Sequence, residues 1–232
     1  VASLLPLMEK LTTGRTASLL SPDLDDPADW RPVFDWASVI NLGGIVYIGL
    51  DSLSDYEVAS AVGNSMFADL TSVAGSLYKF GAGRGLPGET APRRIAIHAD
   101  EFNELIGDEF IPLLNKAGGA GFQVTAYTQT WSDVEARIGS QAKAGQIAGN
   151  FNTLIMLRVK EVATAELMTS QLPEVRVVST IVSSSVSDTN DPGDFADFAS
   201  RNEDRITTES AQMLSPSDLV QLPKGQAFAL IH

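Results

Sequence analysis

Cysteine is absent from the 232 residues, which excludes disulfide frameworks, zinc ribbons and thiol nucleophiles together. Histidine is nearly so: His98 and His232 are the only two, too few for a multi-histidine metal site and a poor basis for a catalytic triad. Positive charge is scarce, with 16 Lys and Arg against 29 Asp and Glu and a formal net charge of -13. Such a surface does not wrap a duplex through counterion release, although a few basic residues lining a channel would hardly alter the sum. No window reaches the ~18 consecutive apolar residues of a membrane span, and the opening VASLLPLMEK lacks the basic flank and cleavage site of a signal peptide. The dipeptide Gly-Lys occurs nowhere, so a Walker A phosphate loop is missing from the chain. What remains, 44% hydrophobic and 19% charged residues, is enough apolar material for a full core. A soluble chain of one large or two small domains is the expectation.

Residues 1–20 carry a short helical pattern through Leu4, Leu5, Leu7, Met8 and Leu11, and SPDLDDPADWRP after them reads as a linker or surface loop. Ile45–Leu50 is a continuous apolar run bounded by glycines and Asp51, the pattern of a strand buried on both faces. From Asp55 to about Tyr78, the spacing of Val58, Val62, Met66, Leu70, Val73 and Leu77 predicts one long amphipathic helix. FGAGRGLPGETAPRR reads as a loop. Strands are expected at Ile95–Ala99, Phe122–Tyr127 and Thr153–Val159, and helices over Asn103–Asn115, from Ser132 and from Ala163. This alternation predicts an α/β fold with a mainly parallel sheet flanked by helices. Near the end, Val175–Ser184 reads as a strand, SSVSDTNDPGDFADFASRNEDR as an acidic loop and Gly225–Ile231 as a last strand.

The sharpest chemical signal is RRIAIHADEFNEL, in which an apolar strand ends in Asp100 and Glu101. Ligands of open α/β sheets bind beyond the carboxyl ends of strands, and phosphoryl-transfer enzymes use an acid there to hold Mg²⁺ and a neighbouring Glu to orient the attacking water. The alternative is local: Asp and Asn both favour the first positions of a helix. A second signal is GFQVTAYTQTWSDVE, where Gln129 at the tip of the next strand could bond the attacking water or a terminal phosphate. Its alternative is a helix start capped by Thr130 or Ser132, with Ser132 and Glu135 as a capping box. GAGRGLPGE and KAGGAG could cradle phosphate through backbone N–H groups, but neither has the terminal Lys and Ser/Thr of a phosphate loop. The loop SDTNDPGDFAD fails the EF-hand template, because Pro192 stands at a ligand position before Gly193 and no Glu follows at the required distance.

Taken in order, these segments resemble the C-terminal half of the RecA-like motor domain of conjugative coupling proteins, the TraD/TraG class of type IV secretion ATPases. The resemblance runs from about Asn41 to His232 through NLGGIVYIGLDSL, the Walker B stretch IAIHADEFNEL, GFQVTAYTQTWSDVEARIG, AGNFNTLIMLRVKEVATAEL and LSPSDLVQLPKGQAFALIH. It implies a RecA-like P-loop NTPase core whose Walker A portion, together with a membrane anchor, lies upstream. It also makes residues 1–36 the exit of an inserted helical domain and 37–232 the C-terminal part of the motor. Carried over by position, Asp100 and Glu101 are the Walker B pair, with Asp100 holding Mg²⁺ through water beside ATP, and Gln129 joins Glu101 as a catalytic residue.

The family's motor is a hexamer at the cytoplasmic face of the bacterial inner membrane that moves single-stranded DNA and its attached relaxase into the channel proteins of the secretion system. One departure concerns the arginine that this family often carries in the turn before the Gln-bearing strand, acting across the subunit interface. Here that turn reads NKAGGAG, with Gly118 at about that place, and Lys116, Arg84 and Arg158 are the candidates to act on a neighbour. A non-catalytic module of P-loop descent, binding partners or organising an assembly, is the competing reading. The translocase reading predicts that Ile95–Ala99 and Phe122–Tyr127 are adjacent parallel strands joined by a right-handed crossover, with Asp100 and Gln129 at the same edge of the sheet, a convergence not expected of two helix caps. Without a phosphate loop, the 232-residue chain by itself is expected to show no ATP hydrolysis above background. Magnesium-dependent turnover that disappears in Glu101→Gln would reveal a phosphate site the sequence does not advertise.

Overall fold

The computed structural model describes residues 4–20, 23–31, 33–81, 94–107, 110–187 and 199–231. The chain divides into two compact units, Val1–Asn152 and Thr153–His232. Arg84, the loop from residue 82 to 93 and the calcium-like stretch 188–198 lie outside the described residues.

In the first unit, two short helices, α1 (Leu5–Thr12) and α2 (Gly14–Leu20), precede the Asp-rich segment. That segment folds around Arg31, whose guanidinium bonds both carboxylate oxygens of Asp29 and holds that carboxyl well below the usual carboxylate range. Helix α3 (Trp36–Leu42) starts where Asp35 accepts from the Ser38 N–H at 2.8 Å and stops at Gly43 in the left-handed region. Helix α4 (Tyr56–Phe80) is the predicted long helix: Asp55 caps it through the Val58 N–H, and Ala59, Gly63, Leu70 and Ala74 line its buried face. Gly63 is small for a reason, since a Cβ there would come within 3.0 Å of Leu50 Cδ1 and 3.1 Å of Leu105 Cδ2.

Strand β1 (Ile95–Ala99) pairs in parallel with β2 (Phe122–Ala126), from Ile95↔Phe122 to Ala99↔Ala126. The crossover holds two helices where the sequence predicted one: α5 (Phe102–Leu105) and α6 (Phe110–Lys116). Ile106, buried and extended at φ -71° and ψ 130°, breaks the run, because burying its side chain in the core outweighs continuing the helix. A 3₁₀ turn over Ala117–Ala120 leads into β2, and α7 (Trp131–Ile138) and α8 (Gln141–Gly149) follow it. The core gathers Phe102, Ile106, Phe110, Leu113, Val134 and Ile147, with the Phe110 ring against Phe102 at 4.7 Å and Phe67 at 5.2 Å between centroids.

The second unit is built differently. Strand β3 (Thr153–Leu157) pairs antiparallel with the last strand, β6 (Ala227–Ile231), and α9 (Val162–Thr169) and α10 (Pro216–Val220) pack on them through Met156, Ala165, Met168 and Leu219. Strands β4 (Glu174–Ser187) and β5 (Ala199–Gln212) form a long antiparallel ribbon.

Three expectations need correction. Ile45–Leu50 is not a strand: the segment is irregular, Ile45 is 100% and Tyr47 94% exposed, and no described strand pairs with it. An apolar run specifies burial but cannot supply the backbone partners a strand needs. The acidic stretch is not loop throughout, since residues 199–205 belong to β5, where pairing with β4 outweighs their low strand propensity. Parallel pairing, expected to dominate, is confined to β1 and β2 among the described residues. The α/β character holds.

Phe110→Ala removes the ring at the centre of the first core and is expected to cost about 3–5 kcal/mol. Urea unfolding followed by tryptophan fluorescence checks this, because Trp30, Trp36 and Trp131 all lie in the first unit.

Candidate nucleotide site at the ends of the parallel strands

The parallel ladder does not stop with the strands. Beyond Ala99, the Tyr127 N–H donates to the Ala99 carbonyl at 2.9 Å and the Phe102 N–H donates to the Tyr127 carbonyl at 2.8 Å. These two bonds tie the chain leaving β1 to the chain leaving β2 and force a sharp turn at Asp100–Glu101. Glu101 carries the strain, with φ 48° and ψ 47°, the only positive φ at a non-glycine residue among those described. A left-handed conformation at a residue with a Cβ costs roughly 1–2 kcal/mol, a cost seen most often at functional sites.

The turn aims two side chains at one another. Gln129 Nε2 donates to Glu101 Oε1 at 3.2 Å, and Asp100 Oδ1 accepts from the Glu101 N–H at 3.1 Å. Asp100, Glu101 and Gln129 are all exposed at this edge. Capping does not account for the acid pair: Glu101 occupies the N-cap of α5, and its side chain makes no capping hydrogen bond. The second alternative holds for its own residue only. Thr130 does cap α7, accepting from the Asp133 N–H at 3.2 Å, which leaves Gln129 one residue earlier to reach Glu101.

Neighbouring residues that the motifs did not single out complete the edge. The Thr128 hydroxyl lies 3.3 Å from Asn103 Oδ1, bridging the start of α5 to the end of β2. On the exposed face of the ribbon, His98 Nδ1 sits 3.2 Å from the Tyr127 hydroxyl with the rings stacked. The alternation Ala96, His98 and Gln123, Thr125, Tyr127 was the signal available for that face. Farther along α7, Arg137 donates to Ser60 Oγ at 2.7 Å and lies over the Tyr56 ring, joining the helix that starts beside Gln129 to α4.

Of the basic candidates, Lys116 and Arg158 fall among the described residues. Lys116 is exposed at the end of α6, at the opposite end of β2 from Gln129, so one strand length separates it from the acid pair. Arg158 is exposed just after β3, in the second unit. Among the described residues no group of three or more His, Asp or Glu could hold a metal unaided. Two adjacent carboxyls at a strand end do suit Mg²⁺, which is usually held by one or two carboxylates together with substrate phosphates.

A family model described as the TraM recognition site of TraD and TraG matches residues 94–224, more than half of the chain. The chain belongs to the TraD/TraG family. The matched region carries the acid-pair edge, β1, β2, β3 and the β4–β5 ribbon, so this is a C-terminal region of the coupling-protein class. No curated protein matches it. Solved structures of coupling proteins share the fold. Unbound bacterial conjugative coupling protein TrwBdeltaN70 aligns with TM-score 0.54 and 18% identity, covering 77% of this chain and 36% of its own. Its sulphate complex gives 0.56 and 19%, covering 85% and 40%. Plasmid coupling protein TrwB bound to the non-hydrolysable GTP analogue GDPNP gives 0.53 and 19%, covering 84% and 40%. The chain thus spans about two fifths of the length of these TrwB structures.

The strain at Glu101 makes a stability prediction. Glu101→Gly is expected to leave the chain at least as stable as the parent, whereas Glu101→Val, β-branched in the same conformation, is expected to lose about 1–2 kcal/mol or more. Paired urea melts decide; equal losses in the two variants would contradict the left-handed turn.

Proposed function

We propose that this chain is the Walker B half of a RecA-like ATP motor in a conjugative coupling protein, which moves single-stranded DNA and relaxase into a type IV secretion channel. The observation that carries the reading is the Gln129–Glu101 hydrogen bond at the carboxyl edge of the parallel β1–β2 pair. In an open α/β sheet this is the edge where ligands bind. The GDPNP bound to TrwB, a protein of the same fold, supports a nucleotide as that ligand.

In this reading Asp100 would help to hold magnesium, and Glu101 would orient the attacking water and accept its proton. The Gln129 amide fixes the Glu101 carboxylate, and because Thr130 caps α7 in the next position, a change at Gln129 is delivered directly to that helix. Bound magnesium and ATP would supply the electrophilic phosphorus and neutralise its oxygens. The phosphate-gripping residues come from a Walker A element outside this chain. Residues 1–36 then lead out of an inserted helical domain, and 37–232 belong to the motor. Among the described residues no helix is long and apolar enough to cross a membrane. The parent works as a hexamer, and Lys116, Arg84 or Arg158 reaches the neighbouring subunit's nucleotide.

A second reading is favoured by the matched model's own description: the chain serves as a docking module for TraM, without chemistry. The two separate experimentally. In a protein that joins this chain to its Walker A element, Glu101→Gln is expected to lower ATP turnover at least about 10²-fold while nucleotide binding is kept. Asp100→Ala is expected to weaken magnesium-dependent nucleotide binding as well. Turnover untouched by Glu101→Gln, or equal loss of binding in both variants, would leave the docking reading in possession.

A further inference from the structure

Charge is unevenly placed in the first unit. The end of α4, the start of β1 and the end of α6 meet around the turn Ala117–Gly121. The Ile95 N–H donates to the Gly121 carbonyl at 2.9 Å, which sets Arg94 beside the turn, and Lys116 immediately precedes it. The Tyr78 ring lies against Gly119, so closely that a Cβ there would stand 2.8 Å from Tyr78 Cε2. Lys79 follows Tyr78 in the last turn of α4. Lys79, Arg94 and Lys116 are all exposed, and none of them enters an ion pair among the described residues.

The sequence places no acid on the segments that meet here. Residues 70–81, 94–99 and 110–128 contain no Asp or Glu, in a chain that has 29 of them. Acid returns at the other end of the β1–β2 pair, with Asp100 and Glu101. A polyanion is therefore repelled by the acidic surface at large and attracted to this end. Two exposed rings flank Lys79: Tyr78 is 71% and Phe80 55% exposed, and Lys79 Nζ stands 5.0 Å from the Phe80 ring centroid. Rings among cations suit unpaired nucleobases and the phosphates that join them, because the rings stack on the bases while the cations neutralise the backbone. A duplex hides its base faces and an acidic peptide has none, so neither would use both features.

We propose that the turn Ala117–Gly121 and the end of α4 form a binding site for single-stranded nucleic acid, with Lys79, Arg94 and Lys116 on the phosphates and Tyr78 stacked on a base. The site lies at the opposite end of β1 and β2 from Asp100, Glu101 and Gln129, so it stands apart from the nucleotide reading. In the motor reading it is where this chain holds the strand. Lys116 then serves the strand, which leaves Arg84 and Arg158 to reach a neighbour's nucleotide.

Fluorescence anisotropy of a labelled oligothymidylate with the 232-residue chain tests the site without any ATP turnover. Binding at low salt is expected to weaken as salt rises, with a log–log slope of roughly -2 for three phosphate contacts. Lys79→Glu combined with Lys116→Glu is expected to weaken binding at least about 10-fold. Tyr78→Ala is expected to weaken it at least about 5-fold and Tyr78→Phe to leave it unchanged, all with unaltered circular dichroism. Lys160→Glu combined with Lys224→Glu makes the same change of net charge on the second unit and is expected to bind as the parent does. No binding at low salt overturns the inference. So does binding that survives the Lys79 and Lys116 changes, or equal loss in the Lys160 and Lys224 control. A duplex of the same length binding as tightly, or polyglutamate or magnesium-ATP displacing the probe as readily as unlabelled oligothymidylate, overturns it too. Should Tyr78→Ala fail to fold, the two lysine pairs alone decide.

Discussion

Two backbone hydrogen bonds outside any strand determine how Asp100, Glu101 and Gln129 come together. The ladder between β1 and β2 brings two chain exits side by side; the bonds from Tyr127 to Ala99 and from Phe102 to Tyr127 then lock those exits together. With both neighbours fixed, residue 101 has little conformational choice and turns left-handed. That turn places the Glu101 carboxylate within reach of the Gln129 amide, 28 positions along the chain. A parallel pair is what allows it: antiparallel neighbours would put the two exits at opposite ends, and a crossover helix layer is needed to return the chain in the same direction.

The layer that makes the return also holds the site rigid. Phe102, Ile106, Phe110 and Leu113 are buried immediately after the acid pair, so the turn is anchored by core packing on its downstream side. On the Gln129 side, α7 begins with the Thr130 cap, buries Val134, and reaches α4 through Arg137 with Ser60 and Tyr56. A displacement of Gln129 would therefore act on a helix gripped at several points.

Elsewhere the chain holds backbone that no strand among the described residues pairs with. The segment from Ile45 to Leu50 has the composition of a buried strand and stands exposed; the outer edge of β4 is long, neutral and unpaired. The two differ in what they would accept. The first is apolar along its whole length, the pattern of a strand buried on both faces. The second runs in doublets, Val177–Val178, Ser179–Thr180 and Ile181–Val182, which puts apolar and hydroxyl side chains on both faces of the ribbon.

Much was legible in the residues themselves. The spacing from Val58 to Leu77 specifies the long helix, Asp55 its start, and the run Ile95–Ala99 its strand, because helix period, caps and short apolar runs depend on neighbours a few positions away. Asp100, Glu101 and Gln129 were recognisable as residue types at strand ends. What the sequence could not determine was any outcome decided by a distant partner. Ile45–Leu50 forms no strand because none among the described residues lies alongside it, and strand formation over residues 199–205 succeeded because β4 does. The break at Ile106 follows from a pocket built by other helices, and the left-handed turn at Glu101 from hydrogen bonds to Tyr127. Local pattern sets what each segment prefers; only the packed structure supplies the partners that satisfy or override the preference, and at Glu101 it overrides it to place a carboxylate against an amide.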